Sequence, residues 1–335
     1  MKEQIDFLAI GDVFNDTFIQ LEDAHVTCDI NHDECTISMK FGDKLPYKSA
    51  EVVRGVGNAG NAATAAARLG VSSALLTITG DDDDGKKIWD YFAEQKVSQV
   101  FMKKDSGHPT NNAYVLQYGP ERTILVKQEP FPYEVPKELL AEHKPRWVYL
   151  TSIGKSAVQF QHDFVAWLKE NPDVKLAFQP GTFQMQLGKE ELADVYKATD
   201  IFFCNKQEAE RILGLGESDF KTLHKAMRAL GPKMVVITDG PNGLTASETD
   251  DIIWKIPMFP DPKPPVSRTG AGDATSSTMT VCLALGMSLK EAMTWGPVNS
   301  MNVVQYTGAQ KGLLTKEALL EWLAKAPADY KVTEL

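Results

Sequence analysis

The chain has 335 residues, a formal net charge of −10 and a hydrophobic fraction of 43%, which is enough material for one large globular domain. The acidic balance excludes a nucleic-acid binder of the usual kind, because such proteins present a basic face. No apolar run reaches the length of a membrane span, and the first residues do not resemble a signal peptide. Four cysteines do not make a disulfide framework in a chain of this size. We therefore expect a reduced, cytoplasmic protein without nucleic-acid or membrane partners.

Two of the cysteines raise the alternative of a metal site. Cys28 and Cys35 lie close in sequence to His25 and His32. Their Cys-x6-Cys spacing does not match the common zinc patterns, so this alternative is not favoured.

The first predicted elements are one buried strand followed by strands with one solvent-exposed face. The uninterrupted apolar run at Ile5–Ile10 predicts the buried strand. Alternating polar and apolar residues at 17–21 and 35–41 predict an antiparallel excursion outside the core. The sequence pattern changes at Gly57, and the residues after it predict three elements of the core. They are a helix at 61–69, a strand at 74–78 and a helix at 85–95.

The second half of the chain alternates steadily between strands and helices, after another half-wet pair of strands at 112–117 and 122–127. Strands are predicted at 147–151, 175–178, 201–204 and 234–238. Helices are predicted at 157–170, 206–213, 219–230, 274–286, 289–305 and 315–325. Such alternation predicts an α/β fold with a mostly parallel sheet covered by helices on both faces. We expect a single domain over 1–335, with a small β lid formed by residues 17–54 and 109–127.

The most informative motif is Thr269-Gly270-Ala271-Gly272-Asp273, which precedes the predicted helix at 274–286. A Gly-Ala-Gly turn at a helix start presents unpaired backbone N–H groups to an anion. The aspartate would repel that anion unless it accepts a proton beside a phosphate, so the motif suggests phosphoryl transfer to a hydroxyl. The alternative is an ordinary glycine-rich helix start, where the helix dipole alone favours an aspartate.

A second glycine motif supports a competing function. Residues 55–60 match the dinucleotide fingerprint G-x-G-x-x-G, and Asp81 lies 21 residues after Gly60. The preceding residues, 49–54, predict a short polar strand, whereas a dinucleotide fold needs a buried first strand there. A nicotinamide-dependent dehydrogenase would also leave the Gly-Ala-Gly-Asp turn without a role. It is kept as an alternative from another class of function.

Six motifs in chain order resemble those of the ribokinase-like (PfkB) family of carbohydrate and nucleoside kinases. They are Gly11-Asp12 with Asp16, Gly57 to Ala63 through Arg68-Leu69-Gly70, Gly80-Asp81-Asp82 with Gly85, Asn205-Lys206-Gln207-Glu208, Thr238-Asp239-Gly240 with Gly243, and Gly270 to Asp273. The resemblance covers nearly the whole chain. It implies a ribokinase-like three-layer sandwich and an ATP- and Mg²⁺-dependent kinase. Its acceptor would be a primary hydroxyl of a sugar or, as the alternative, of a nucleoside.

The resemblance also assigns roles to residues. Asp273 would be the base, and Gly270, Ala271 and Gly272 would hold the charge of the γ-phosphoryl group. The residues assigned to the substrate are Asp16, Gly57, Asn58 and Asn61. The residues assigned to the nucleotide are Asn205, Glu208, Thr238, Gly240, Gly243, Arg268 and Asn299. Glu208 would also address Mg²⁺ through water, while an N-capping role for Asn205 is the alternative.

Two departures from the family pattern affect the site. Ser267-Arg268 replaces the usual Asp-Thr, which puts in doubt the monovalent-cation activation of many relatives. Arg268 would either add positive charge near the phosphates or face solvent, and both interpretations stay open. Gln179 replaces the usual aspartate before Pro180, which removes a charge near the phosphate site. These changes keep a non-catalytic sugar- or nucleotide-binding protein as a further alternative. The half-wet lid strands predict a homodimer that pairs through the lid.

Overall fold

The computed structural model describes residues 4–28, 35–118 and 121–335. The strands in chain order are β1 (Ile5–Ile10), β2 (Phe14–Leu21), β3 (His25–Cys28), β4 (Cys35–Ser38), β5 (Tyr47–Val56), β6 (Ser73–Leu76), β7 (Ile78–Gly80), β8 (Lys103–Asp105), β9 (Asn112–Tyr118), β10 (Glu121–Lys127), β11 (Pro145–Leu150), β12 (Lys175–Phe178), β13 (Ile201–Asn205), β14 (Met234–Thr238), β15 (Leu244–Ser247), β16 (Ile253–Ile256) and β17 (Thr333–Glu334). The α-helices are α1 (Asn58–Arg68), α2 (Asp83–Glu94), α3 (Lys137–Glu142), α4 (Val158–Glu170), α5 (Thr182–Leu187), α6 (Ala193–Ala198), α7 (Lys206–Leu213), α8 (Phe220–Ala229), α9 (Ala271–Ala284), α10 (Leu289–Val303) and α11 (Lys316–Leu323). None of the described helices is long and apolar enough to cross a membrane.

The main sheet has nine strands in the order β17-β16-β15-β14-β13-β12-β11-β1-β6. The strands from β14 to β6 in this order pair in parallel. The strands from β14 to β17 pair antiparallel and close one edge of the sheet. The sheet is therefore mostly parallel, which confirms the predicted fold class.

Two hydrophobic clusters cover the two faces of this sheet. Because successive side chains of a strand point to opposite faces, Phe7 and Ala9 of β1 pack into one cluster with α1, α9 and α10. Leu8 and Ile10 of the same strand pack into the other cluster with α4 and α8. The helix–sheet–helix layering follows from this continuous burial of β1 on both sides.

The second sheet has four strands in the order β10-β9-β2-β5, drawn from the two segments predicted as the lid. β2 pairs antiparallel with β5 but parallel with β9, so this excursion is not wholly antiparallel as predicted. Residues 29–34 of the predicted lid, and with them His32, lie outside the described residues, as do residues 119–120 of its second segment.

A short hairpin of β3 and β4 lies between β2 and β5 in sequence. Cys28 and Cys35 oppose each other in its register and are joined by a disulfide. The expectation of reduced cysteines is therefore wrong for this pair, because direct cross-strand neighbours bring their Cβ atoms close together. Cys204 and Cys282 are free and buried, in line with that expectation.

Candidate active site

The carboxyl ends of the parallel strands bring several predicted residues to one edge of the main sheet. Gly11 directly follows β1, Gln179 directly follows β12, and β13 and β14 end at Asn205 and Thr238. Ligands of open α/β sheets bind outside this edge. The chain also leaves the main sheet for β2 here, so the second sheet is connected to the main one beside the site.

Helix α9 begins at this edge through a left-handed glycine. Gly270 has φ 81°, and a Cβ there would lie 2.3 Å from the Cβ of Ala309. Only glycine fits this position without strain. The amide of Ala271 lies 3.4 Å from the carbonyl oxygen of Arg268. The amides of Gly270 and Gly272 have no hydrogen-bond partner among the described residues, as expected for a helix start that can bind an anion.

The carboxylate of Asp273 lies in the first turn of α9 and is 9% exposed. Its Oδ2 accepts a hydrogen bond from Asn61 Nδ2 at 2.8 Å, and its Oδ1 accepts one from Gln179 Nε2 at 3.1 Å. Burial raises the pKa of Asp273, while these two hydrogen bonds act to lower it. Both donors are neutral amides, so the ionised carboxylate keeps its basicity. Such a group is suited to accept a proton near neutral pH.

Gln179 belongs to a polar cluster that the sequence did not reveal. Its Oε1 accepts a hydrogen bond from Ser276 Oγ at 2.7 Å and another from the hydroxyl of Tyr149. The Tyr149 and Ser276 hydroxyl oxygens are themselves 2.6 Å apart. The sequence analysis identified Gln179 only as the replacement of a charged aspartate. The structure places its amide in direct contact with Asp273.

Gly57 caps the start of helix α1, and its φ of 101° again requires glycine. A Cβ on Gly57 would lie 2.7 Å from the carbonyl oxygen of Asp12, so this turn packs tightly against the end of β1. Asn58 is half-buried at the first position of the helix. Asn61 is buried one turn later, and its Oδ1 has no hydrogen-bond partner. The predicted residues 57, 58 and 61 thus lie on the same helix start, and Asn61 touches Asp273.

Asp16 lies on β2, where its neighbours in the second sheet are Val53 and Ala113. Its carboxylate has no hydrogen bond or ion pair with any described residue, and burial raises its pKa to about 6. Asp12 differs from it, because its carboxylate accepts from Tyr133 Oη and from Gly154 N, both at 2.7 Å. Asp16 is therefore the carboxylate that is free to accept a hydrogen bond from a ligand. Asp12, which precedes the second sheet, instead binds residues that follow this sheet in the chain.

The Asn205–Glu208 motif forms a capping box at the start of α7. Asn205 Oδ1 accepts from the Glu208 amide at 2.8 Å, and Glu208 Oε2 accepts from the Asn205 amide at 2.9 Å. Asn205 thus caps α7, although the alternative expected a surface-exposed helix start and both residues are half-buried, and the predicted nucleotide contact of Asn205 stays a prediction. Glu208 Oε1 has no partner among the described residues. Burial raises the pKa of Glu208, and the negative charge of Asp273 acts in the same direction, so the two carboxyl groups lie within electrostatic reach.

The other predicted nucleotide contacts are more scattered. Thr238 pairs with Asn205 in the main sheet, and Gly240 and Gly243 form the turn that follows. Arg268 is exposed, and its charge acts on the nearby Asp261. The Arg268 side chain faces solvent in the structure, and its predicted phosphate contact stays a prediction.

Asn299 is fully buried among the helices. Its Nδ2 donates to Thr278 Oγ1 at 2.8 Å, and its Oδ1 accepts from the Leu314 amide at 2.9 Å. Both polar ends are therefore used inside the protein. Its predicted nucleotide contact stays a prediction that this geometry does not support.

The Gly80–Gly85 motif has a structural role. Asp82 caps α2 by accepting from the Gly85 amide at 2.7 Å. The same carboxylate accepts from the amide and the hydroxyl of Thr110, at 2.8 and 2.6 Å. The motif thus fixes the point at which the chain approaches β9.

The fold argues against the dinucleotide interpretation of residues 55–60. The strand that leads into these glycines is β5, an edge strand of the second sheet. A dinucleotide-binding turn instead follows a central strand of the parallel sheet. The dehydrogenase alternative is therefore not supported by the fold.

The described residues contain no group of three or more His, Cys, Asp or Glu side chains that could hold a metal ion. A single carboxylate with a free oxygen, as at Glu208, fits Mg²⁺ that keeps most of its water and binds substrate phosphates. The residues present are therefore compatible with the predicted Mg²⁺.

Comparison with known proteins gives a consistent result. A family model for pfkB family carbohydrate kinase matches residues 27–316. Ribokinase from Bacillus subtilis is 28% identical over 287 residues, which cover 85% of this chain and 92% of that protein. The bifunctional ribokinase/ribose-5-phosphate isomerase A of Fructilactobacillus sanfranciscensis is 26% identical over 83% of this chain, and the chain spans about half of its length, 51%. The solved structure of Arabidopsis thaliana ribokinase with ribose and ATP has a TM-score of 0.79 at 18% identity, covering 96% of this chain and 99% of that one.

Proposed function

This chain belongs to the pfkB family of carbohydrate kinases, and from that premise we propose that it transfers the γ-phosphoryl group of ATP to a primary hydroxyl of a sugar. Membership of the family makes it a phosphotransferase with an alcohol group as acceptor. The observation that carries the proposal is the buried carboxylate of Asp273 beside the free amides of Gly270 and Gly272. A base next to an anion site is what phosphoryl transfer to an alcohol needs.

In the proposed reaction the acceptor oxygen forms a bond to the γ-phosphorus as the bond from that phosphorus to the β,γ-bridging oxygen breaks. The hydroxyl proton passes to the carboxylate of Asp273, and ADP leaves with the electron pair of the broken bond. The free amides at the start of α9 stabilise the charge that develops on the transferred group. Position and charge stabilisation account for the catalysis, since no covalent intermediate is required.

The acceptor side of the site is proposed to use Asp16 and Asn61. Asp16 presents a carboxylate without a protein partner, and Asn61 presents a buried carbonyl oxygen without one. Both atoms accept hydrogen bonds, so they suit adjacent hydroxyl groups of a sugar. Gly57 and Asn58 line the same helix start and are proposed to contact the sugar as well.

The donor side is proposed to use Glu208, the turn from Thr238 to Gly243, and Arg268. Mg²⁺ would supply neutralisation of the phosphate charge when bound, and Glu208 would address it through water. Arg268 is exposed next to the α9 start, so it is free to turn toward a bound polyphosphate. A monovalent cation is not part of the proposal.

We further propose that the second sheet acts as a lid over the acceptor and joins two copies of a cytoplasmic homodimer. Its register aligns Val52, Thr17, Tyr114 and Leu125 in one row across all four strands. Three members of this row, Val52, Tyr114 and Leu125, are about half exposed, at 47%, 50% and 54%. A row that presents three exposed apolar side chains on one sheet suits a second copy of the same sheet. Analytical ultracentrifugation tests the homodimer, and a monomer at micromolar concentration would refute it.

The test of the proposed function is ADP release across a panel of sugars and nucleosides, with ATP and Mg²⁺. We expect turnover with one sugar class, and dependence of the rate on Mg²⁺. A nucleoside as the best acceptor would move the proposal to the nucleoside alternative. Binding of sugar and ATP without ADP release would point to a non-catalytic protein.

A further inference from the structure

The amide of Gln179 lies between the carboxylate of Asp273 and two buried hydroxyl groups. We infer that Gln179 is a positioning residue that holds the Asp273 carboxylate in the orientation needed to accept the proton of the substrate hydroxyl. This inference rests on the proposed function for its catalytic consequence, although the contact itself can be tested without turnover.

The orientation of the Gln179 amide is fixed by its surroundings. The ionised carboxylate of Asp273 can only accept hydrogen bonds, so the group 3.1 Å from it must be the NH₂ of Gln179. Oε1 then faces the hydroxyls of Tyr149 and Ser276, which can both donate to it. A flipped amide would place an oxygen against the carboxylate and an NH₂ group against these hydroxyls. The cluster therefore favours one arrangement.

The cluster also fixes the rotation of the Asp273 carboxylate. Asn61 of α1 holds Oδ2 and Gln179 holds Oδ1, so both oxygens have a donor on a different structural element. Each oxygen keeps a lone pair for the incoming proton. The start of α1 and the end of β12 thus clamp the carboxylate from two sides.

Neutral donors are significant at this position. No Lys, Arg or His among the described residues forms an ion pair with Asp273, so no cationic side chain in direct contact suppresses its basicity. The charged and titratable groups that face it are Glu208 of α7 and the phenol of Tyr149 of β11. The charge of Asp273 contributes to the raised pKa of Tyr149, whose first cause is burial, so this hydroxyl stays protonated and available as a donor. Gln179 thus orders the base without changing the net charge of the site.

The test compares two Gln179 variants and one control variant by the pH dependence of kcat. Gln179→Glu places a second carboxylate against Asp273, and Gln179→Leu removes the hydrogen bond. In Gln179→Glu we expect the acid limb of the kcat profile to move up by about one pH unit or more, because neighbouring carboxylates resist double ionisation. On the acid limb its kcat should be at least about tenfold below that of the parent at the same pH, and it should recover at higher pH. In Gln179→Leu kcat should fall about 10- to 100-fold across the profile, because orientation is lost. KM for ATP should stay within about threefold of the parent in both.

The control is Gln99→Leu, which removes a half-buried glutamine that donates to the Trp89 carbonyl oxygen outside the site. It should lower stability at most and leave the acid limb unchanged. If Gln179 had only a structural role, its variants would likewise lose stability without any shift of the acid limb. Loss of stability with an unchanged acid limb in Gln179→Glu would therefore overturn the inference.

A second measurement separates this inference from the proposed function. Carbon-13 NMR of the aspartate carboxyl groups, with the Asp273 signal assigned by its loss in Asp273→Asn, follows the titration without substrates. We expect the Asp273 midpoint to rise by about one pH unit or more in Gln179→Glu. An identical midpoint in parent and variant refutes the contact. A protein that phosphorylates nothing refutes the proposed function, while this titration still decides the role of Gln179.

Discussion

Replacing Asp16 by Asn should stabilise the free protein and weaken its binding of the acceptor. Burial raises the pKa of Asp16 from 3.8 to about 6, so the fold disfavours the charged form that the proposed contact with the acceptor uses. A carboxyl group whose pKa is raised by folding contributes stability at low pH, and this contribution is lost as pH rises through the folded pKa. Ionisation of Asp16 therefore lowers the free energy of unfolding, and this loss is absent in the Asn variant.

The magnitude follows from the two pKa values. With 1.36 kcal/mol per pKa unit, the cost of ionising Asp16 in the fold is about 3 kcal/mol at pH 8 and about 1.6 kcal/mol at pH 5. Asp16→Asn should therefore gain about 1.4 kcal/mol more over the parent at pH 8 than at pH 5. Any change in packing shifts both values equally, so this difference isolates the charge.

The assay is urea unfolding of parent and variant at the two pH values. Asp251→Asn, which changes an exposed carboxylate in the turn before β16, serves as the control and should show no such difference. An equal stability change for Asp16→Asn at pH 5 and pH 8 would refute the argument that burial raises this pKa. Under the proposed function, KM for the acceptor should also rise at least about tenfold while KM for ATP changes little.

Two further predictions concern the core and the helix start. His224 is buried between Thr245 and Ser247, and burial lowers its pKa to about 4. The stability that its neutral form contributes is therefore present above about pH 6.5 and falls by about 2 kcal/mol between pH 7 and pH 5. The stability difference between the parent and His224→Gln should change by this amount over the same pH range, and an unchanged difference would show that His224 is not buried in its neutral form. Gly270→Ala would place its Cβ 2.3 Å from Ala309 Cβ in a left-handed turn, so kcat should fall at least about 100-fold, and a kcat within about threefold of the parent would contradict the tight helix start.

Local signals allowed much of the fold to be predicted from the sequence. The predicted strands at 5–10, 175–178 and 234–238 have the observed bounds, because each is a short apolar run between clear breaks. Helix α7 was predicted with its observed bounds because a capping box starts it and Gly214 ends it in a left-handed conformation. Helix α1 begins three residues earlier than predicted, because Gly57 caps it without a side-chain signal.

Long-range structure was harder to predict. The antiparallel edge formed by β15, β16 and β17 was missed, since these strands are only two to four residues long and carry no strong pattern. The parallel pairing of β2 with β9 depends on how two distant segments meet, which alternation alone does not specify. The Cys28–Cys35 disulfide likewise depends on the register of a hairpin.

The candidate site shows the same division. The motif residues were found individually, but the contact between Asn61 and Asp273 joins positions 212 apart in sequence. The role inferred for Gln179 depends on its position directly after β12 and on the hydroxyls around it, neither of which is a sequence pattern. The opposite case is Asn299, where a polar residue assigned to the nucleotide is used inside the helix packing.

The central claim is that Asp273 is the base of a phosphoryl transfer, and the rate of ADP formation by Asp273→Asn tests it most directly. The variant keeps the size and polarity of the side chain but removes its ability to accept the proton. With the acceptor found in the panel, kcat should fall about 10²- to 10⁴-fold while ATP binding, measured by calorimetry, stays within about threefold of the parent. A near-normal kcat in Asp273→Asn would contradict the account.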